Sequence, residues 1–478
     1  MEANRKPNES ETGGIAQNLT WHQLIIYASF TMPITIIGIP LTVYLPPLYG
    51  ELGVDLALMG FILLVARFSD VITDPIIGIT SDKSVTRIGR RKPWLLGGAI
   101  PLMAMTYLIL VPPDEVSVVY FTICVVLTYF VMTTMQIPYV SWGAELSGNY
   151  NERSRITTTR EAFVNTGYLG LFLTMGIAQT FFDKDLRDQL FYVAIAICCT
   201  TPVLTLLVTS LVPEPKIPAE AIQRFSIKQY RDGIRFMMKN GPFIRILIGL
   251  TGTVIGTSID SVVSYFFCQH VLLAEASYNW ALVGLMVAAI LGLPGWLYLS
   301  KKIGKHKTFV CAIFWYVCCA MLMPLLYFLP SDAGAGFIVL QTIKGLCTGA
   351  IGAMAFSMAG DAVDIDTLKS GEPRTAFYFS FMGAATKTAA AFASFIGLTA
   401  ISLFGFDPTL EAGLAPSDGG NTNLALLGIV LLYTVIPCCF YLATLPWVWT
   451  YTLTEERQAR IQARLDRKAT DRNETKGS

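Results

Sequence analysis

Three charged side chains sit where a chain tolerates them least. In ARFSDVITDPIIG, residues 66–78, Arg67, Asp70 and Asp74 interrupt a run otherwise apolar enough to cross a bilayer. A carboxylate held in hydrocarbon costs at least about 2.5–3.5 kcal/mol, so such residues are rare unless they serve an ion or solute path. Aspartates at i and i+4 project from one face of a helix. Two like charges there repel unless a cation or a proton lies between them, which outlines a cation site. A purely structural ion pair with Arg67, one turn earlier, is the competing reading. One arginine cannot neutralise two acids, although Lys387 could take the second.

The elements around this group are helices that cross a membrane. The chain has 478 residues, of which 53% are hydrophobic and 14% charged, with mean hydropathy +0.53. Apolar runs of about 20 residues recur along nearly its whole length, the mark of a polytopic all-α membrane protein. Twelve spans are expected, near 22–48, 56–80, 93–112, 117–144, 160–182, 190–212, 243–271, 278–300, 308–330, 335–360, 375–404 and 423–450. They divide the chain into a tail (1–21), a six-helix bundle (22–212), a polar loop (213–242), a second bundle (243–450) and a second tail (451–478). Part of that loop, FSIKQYRDGIRFMM, reads either as an amphipathic surface helix or as a plain linker.

Orientation follows from the basic residues. If both termini lie in the cytoplasm, 30 of the 35 Lys and Arg residues fall in cytoplasmic segments, and only Lys184 and Arg187 fall outside. That bias sets the expected topology in a plasma (inner) membrane. The polar first twenty residues make the first span its own expected insertion signal. Sequons at Asn8, Asn18 and Asn473 would then lie in cytoplasmic tails. A formal net charge of +1 offers nothing to a nucleic acid. Ten cysteines lie in apolar runs without a C-x-x-C pair, and three histidines are scattered, so disulfides and histidine-built metal sites are not expected. No P-loop, G-x-S-x-G or H-E-x-x-H occurs, which argues against an enzyme or an ATP-driven pump.

The two halves repeat. GITSDKSVTRIGRRKPW after span two has a counterpart in GLPGWLYLSKKIGKHKTF after span eight, and IPYVSWGAELS at 137–147 has one in FSMAGDAVDID at 356–366. Six plus six spans with a parallel repeat is the layout of major facilitator transporters, which hold their solute between the halves near the midplane.

These motifs, with NERSRITTTRE, PRTAF and TKTAAA in the same order, resemble the glycoside–pentoside–hexuronide:cation symporters over nearly the whole transmembrane part. The resemblance implies that Asp70 and Asp74 bind the coupling cation, Na+ or H+, with no other cofactor. Thr133 would add a hydroxyl ligand, and Thr73 stands where the family often has Asn. Hard cations such as Na+ prefer such oxygen ligands. Lys387 matches a lysine near this site, and Arg160 an arginine near the sugar. Two departures bear on the solute. The span-one aspartate that holds sugar in the family is missing around Pro33 and Ile34, and a second corresponds to Gln136, with Val140 at the position of a stacking tryptophan.

Lys344 in LQTIKGLCTG has no counterpart in the family motif. It is expected either to pair with Asp260 on span seven or, with Arg160, to recognise an anionic sugar such as a uronate. Tyr139, Trp142, Tyr265 and Tyr378 are aromatics able to stack on a sugar. Arg90 and Arg91, with Glu145, Arg153, Arg155, Asp361, Asp364, Asp366 and Arg374, are expected to form charge pairs between the halves when the inner mouth shuts. The expected protein is a monomeric cation-coupled importer of a sugar, glycoside or uronate, in contact with membrane lipid and working by alternating access. The alternative is a lipid or lysolipid transporter of the same superfamily.

Overall fold

The computed structural model describes residues 19–84, 86–147, 150–215, 227–328, 333–370 and 374–453, together with 457–458, 460–461 and 463–464. Twelve long helical units span the bundle: α1 (Trp21–Glu51), α2 (Leu56–Lys83), α3 (Lys92–Leu110), α4 (Val118–Glu145), α5 (Tyr150–Phe182), α6 (Leu186–Leu211), α7 (Gly241–Val271), α8 (Glu275–Ile303), α9 (Lys305–Phe328), α10 (Ala333–Ser370), α11 (Thr375–Leu403) and α12 (Asn423–Trp449). A short helix, Ile227–Met238, precedes α7. Eleven of the twelve are long and apolar enough to cross a membrane. The exception is α5, 33 residues long, whose first third carries Glu152, Arg153, Arg155, Arg160 and Glu161. It starts ten residues before the expected span because no proline or glycine stops it there. By the same logic α10 runs on through DAVDIDTLKS to Ser370. The three sequons and residues 216–226 of the loop lie outside the described residues.

Helix starts follow local chemistry. Thr20 and Gln23 form a reciprocal capping box at α1, and Asp55, Ser117, Asp185, Asn240 and Thr422 cap α2, α4, α6, α7 and α12 through their side-chain oxygens. In α1 the turns widen over Pro40–Tyr44. Pro75, directly after Asp74, has no N–H to give to the helix, which loosens α2 at that point.

Within the first half α3 packs on α4 and α6; within the second, α8 packs on α10, and α7 on α12. The α8–α10 contact is backbone-close. A Cβ on Gly345 would lie 2.4 Å from the Leu285 carbonyl oxygen, and one on Gly292 2.3 Å from that of Leu346, which also accepts a bond from Trp296 Nε1 at 2.9 Å. Small residues at such crossings are how membrane helices associate without a hydrophobic drive.

The repeat persists in three dimensions. Gly89 in the α2–α3 loop has φ +124°, and Gly304 in the α8–α9 loop has φ +91°, both in the region that favours glycine. The cation after each glycine reaches the inner end of its own half. Arg90 meets Glu145 of α4 at 2.9 Å, and Lys305 meets Asp361 of α10 at 2.5 Å.

The halves meet along α2–α11, α5–α8 and α1–α7. At the end away from the termini the contact is hydrogen-bonded. Tyr44 Oη donates to Asn279 Oδ1 at 2.7 Å, and Asn279 Nδ2 donates to Gln179 and Gln189 at 3.0 and 3.1 Å. Trp280 reaches Thr180 at 2.8 Å, Gln269 reaches Glu51 at 3.2 Å, and Ser402 reaches Asp55 at 3.4 Å. At the opposite, basic end, the ion pairs between described residues stay within one half: Arg90 and Arg91 with Glu145, Arg91 with Asp82, Lys305 with Asp361, and Arg374 with Asp366. The far face is latched shut, and no charge pair of this set closes the basic face.

Candidate cation and solute sites

Halfway along α2, Asp70 is buried against α4, and Asp74 lies one turn nearer the basic face. Thr133 Oγ1 of α4 sits 3.4 Å from Asp70 Oδ1, and Arg67 Nη1 lies 3.6 Å from Asp70 Oδ2. Lys387 of α11 crosses from the second half to Asp74 Oδ2 at 3.2 Å. The other oxygen of Asp74, Oδ1, is buried without a hydrogen-bond partner. A carboxylate oxygen left bare in an apolar interior costs free energy that a bound cation or proton would recover. Two carboxylates and a hydroxyl are also the hard oxygen donors that Na+ prefers. Thr73 does not join them, because its Oγ1 turns back to the Ser69 carbonyl at 3.1 Å.

A cavity of about 190 Å3 opens in the first half among α1, α4 and α5, lined by Thr31, Thr35, Gln136, Tyr139, Arg160 and Glu161 among others. Gln136 and Arg160 therefore meet in space. Arg160 spends one donor on Glu161 at 2.7 Å. Tyr139 forms part of the wall, but its ring stacks on Tyr27 at 4.6 Å and its hydroxyl donates to the Tyr27 carbonyl at 2.7 Å. Packing thus already occupies its face and its polar tip. Trp142 is likewise held, through Nε1, by the Pro213 carbonyl at 3.1 Å.

A second cavity, of about 130 Å3, lies between the halves. Thr42, Arg67 and Tyr129 line it from α1, α2 and α4, and Thr257, Ser258, Ser261 and Ser394 line it from α7 and α11. No sequence motif marked this place. The run TGTVIGTSIDSVVS, with hydroxyls recurring on α7, was the available signal.

Of the two expectations for Lys344, the pair with Asp260 is the one formed, and the partnership with Arg160 at an anionic sugar is not. Lys344 is fully buried in the second half, 3.3 and 3.2 Å from the two oxygens of Asp260, and Tyr316 donates to the same carboxylate at 2.9 Å. The rings of Tyr316 and Tyr433 close over the ammonium. A buried charge takes the partner within reach, and Asp260 on α7 is nearer than anything in the first half. Lys387, which the resemblance put near the cation site, touches Asp74 and does not line the Gln136 cavity.

The expected gate residues form two clusters. Arg91 binds Ser81, Asp82 and Glu145, and Glu214 accepts from the Arg90 and Arg91 backbone N–H groups at 2.6 Å each. Burial opposes the Arg91 charge, but Glu145 and Asp82 outweigh it and hold its pKa above the usual arginine value. Arg153 donates to the Ser147 carbonyl, and Arg155 pairs with Glu152 at 3.0 Å. In the second half Gln458 binds Asp364 at 2.6 Å, and Arg374 stacks over Phe236. The expected bridges between the halves are replaced by pairs inside each, as an open basic face requires.

Residues 26–455 match the family model for MFS/sugar transport proteins. The chain belongs to this family. Its membership of the major facilitator transporters agrees with the all-helical, twelve-unit architecture and with the resemblance read from the motifs. Among its relatives is the uncharacterized symporter YjmB of Bacillus subtilis, 24% identical, with 87% of this chain and 89% of YjmB aligned. Another is the human sodium-dependent lysophosphatidylcholine symporter 1, 26% identical over 84% of this chain and 77% of the relative. A bacterial homologue of the lysosomal transporter Spinster, solved inward-facing and unoccupied, shares the fold at TM-score 0.61 and 13% identity, covering 91% of this chain and 98% of that one. The protein is a multi-pass transporter of the symporter type.

Proposed function

We propose that this transporter imports a sugar or sugar derivative together with Na+ or H+, using Asp70 and Asp74 as the coupling site. The observation that carries the reading is Asp74 Oδ1, buried and without a partner beside a second carboxylate and a threonine hydroxyl. An arriving cation would compete with Lys387 for Asp74 and with Arg67 for Asp70, so loading it alters the one ion pair seen between the halves among the described residues. Sugar would enter at the Gln136 and Arg160 cavity, where Gln136 lies less than one turn from Thr133 on α4. Reciprocity then requires cation and sugar to raise each other's affinity equally.

Orientation follows the basic residues: both termini in the cytoplasm, the latched far face outside, and the conformation described above inward-facing, in the plasma (inner) membrane and as a monomer. Cavities of about 190 and 130 Å3, rich in hydroxyls and charges, suit a small polar solute. Both fall below the roughly 300 Å3 at which drug-sized sites begin. The lysolipid reading, favoured only by the names of some relatives, forms the second arm of the test. Full-length protein in proteoliposomes is assayed by counterflow against neutral glycosides, pentosides, uronates and lysophosphatidylcholine, with and without Na+ or an acid-outside gradient. At least one sugar is expected to exchange faster with the cation. Exchange of the lysolipid alone would overturn the proposal.

A further inference from the structure

Arginine has five donors and no acceptor, and in a membrane interior each donor needs a partner. Arg67 does not find them in the protein. Its only charge partner is Asp70, at 3.6 Å, and its guanidinium lies 4.2 Å over the Tyr129 ring. Among the described residues no hydrogen bond reaches it, and its side chain keeps 29% exposure, facing the cavity between the halves. Across that cavity the Ser258 and Ser261 hydroxyls of α7 also make no hydrogen bond among the described residues. Thr42, Thr257 and Ser394 satisfy their own protons on backbone carbonyls of their helices. The free donors around the cavity among the described residues are thus Arg67 and the Tyr129 hydroxyl from one half and two serine hydroxyls from the other. An oxyanion is the chemistry that such donors accept, and Arg67 supplies the planar fork that fits one.

Charge counting points the same way. Arg67, Asp70, Asp74 and Lys387 form a group of formal charge zero, and the nearby pairs, the partly exposed Arg160 with Glu161 and the buried Lys344 with Asp260, also cancel. A coupling cation entering alone would leave one uncompensated positive charge in the low-dielectric interior, an arrangement that is strongly disfavoured. A solute carrying one negative charge restores neutrality. A cation at Asp70 would compete with the guanidinium that already lines the cavity, and so would free it for an anion there.

We infer that Arg67, with Ser258 and Ser261 opposite, receives a singly charged oxyanion on the transported solute, so that one cation and one sugar acid move as a net-neutral pair. This deepens the sugar-symport reading and rests on it, but it moves the solute's anionic end from the Gln136 and Arg160 cavity to the one between the halves. It also replaces Lys344 with Arg67 as the anion-recognising residue.

The test uses full-length protein in proteoliposomes, with labelled D-glucuronate and D-glucose, an inward Na+ or acid-outside gradient, and the membrane potential set by a potassium gradient and valinomycin. Glucuronate uptake is expected to be cation-driven yet unchanged by an inside-negative potential. Arg67→Lys is expected to weaken glucuronate binding by about tenfold or more, because a single ammonium cannot replace the fork. That binding is read from ligand-induced thermal stabilisation of the purified variant, whose folding is checked by its melting without ligand. Glucuronate uptake accelerated by inside-negative potential, or unchanged glucuronate affinity in Arg67→Lys, would overturn the inference. If glucose is driven by the cation while glucuronate is ignored, this inference fails and the symport reading stands. If neither sugar is coupled to a cation, both fail.

Discussion

Replacing Asp74 with asparagine separates coupling from folding. The substitution keeps the shape and removes one negative charge from a site whose Oδ1 has no partner and whose Oδ2 lies 3.2 Å from Lys387. Two unit charges about 4 Å apart at an effective dielectric of ~20 interact by about 4 kcal/mol. The Asp74 side chain is 28% exposed, so solvent screening roughly halves that figure, to about 2 kcal/mol or a thirtyfold loss of cation affinity. The cost to the fold is smaller. Lys387 is 48% exposed, and pairs of that kind contribute under about 1 kcal/mol. Na+ at about a hundred times its Kd stabilises the native state by about 2.7 kcal/mol, and a thirtyfold weaker site leaves roughly 0.9 kcal/mol at the same concentration. Asp74→Asn should therefore melt like the wild type without Na+, lose most of the Na+-induced rise in Tm, and take up solute without cation drive. A variant that keeps both the full thermal response to Na+ and cation-driven uptake would refute the assignment. If H+ is the coupling ion, the same comparison is made between acid and neutral pH.

Lys344→Ala leaves the Asp260 carboxylate buried with only Tyr316 beside it, and should cost about 3–5 kcal/mol, seen as aggregation on size exclusion in detergent. Lys344→Met combined with Asp260→Asn should recover a monodisperse protein, and an unaffected single variant would contradict the structural role given to the pair. Asn279→Ala removes three hydrogen bonds of the far-face latch, each contributing about 0.5–1.5 kcal/mol, and should populate the state open on that face. In a background without the ten native cysteines, a cysteine at Ser258 should then react faster with an impermeant maleimide added from the far side. Gly345→Ala should lower stability by about 1–3 kcal/mol by forcing α8 from α10. Gly295→Ala, with nothing within 4 Å of its added Cβ, should leave the melting temperature unchanged or raised.

Residues with an absolute physical constraint were readable in advance. Asp70 and Asp74 stand out because carboxylates are expensive in hydrocarbon, and the basic loops because lysine and arginine mark one side of a membrane. The span boundaries followed the hydropathy, except where α5 and α10 continue as helices past their apolar stretches. What escaped is what depends on rotation about a helix axis and on the choice among partners. Lys344 could face either half until packing turned it toward Asp260. Tyr139 could stack on a sugar until Tyr27 took its face. Arg67 was visible only as a neutraliser of Asp70, since it stacks on Tyr129 and the cavity it faces is closed by serines of a helix about 190 residues away. The charges of the basic end were expected to pair between the halves, but sequence alone does not say in which conformation each meets its partner.

The two ends of the bundle carry different kinds of contact. The latch centred on Asn279 joins neutral amides, a phenol and an indole, and its strength is nearly independent of dissolved salt. The basic end has no such link between the halves among the described residues: its ion pairs, such as Lys305–Asp361 and Arg91–Asp82, lie within one half, and each has a partly exposed member. At physiological ionic strength the Debye length is about 8 Å, so pairs of that kind weaken as salt rises. If the basic end lies in the cytoplasm, as proposed, the salt-sensitive pairs face the compartment whose composition a cell controls. The salt-indifferent latch between the halves would then face surroundings it does not, and a change in external salinity would leave that latch largely undisturbed.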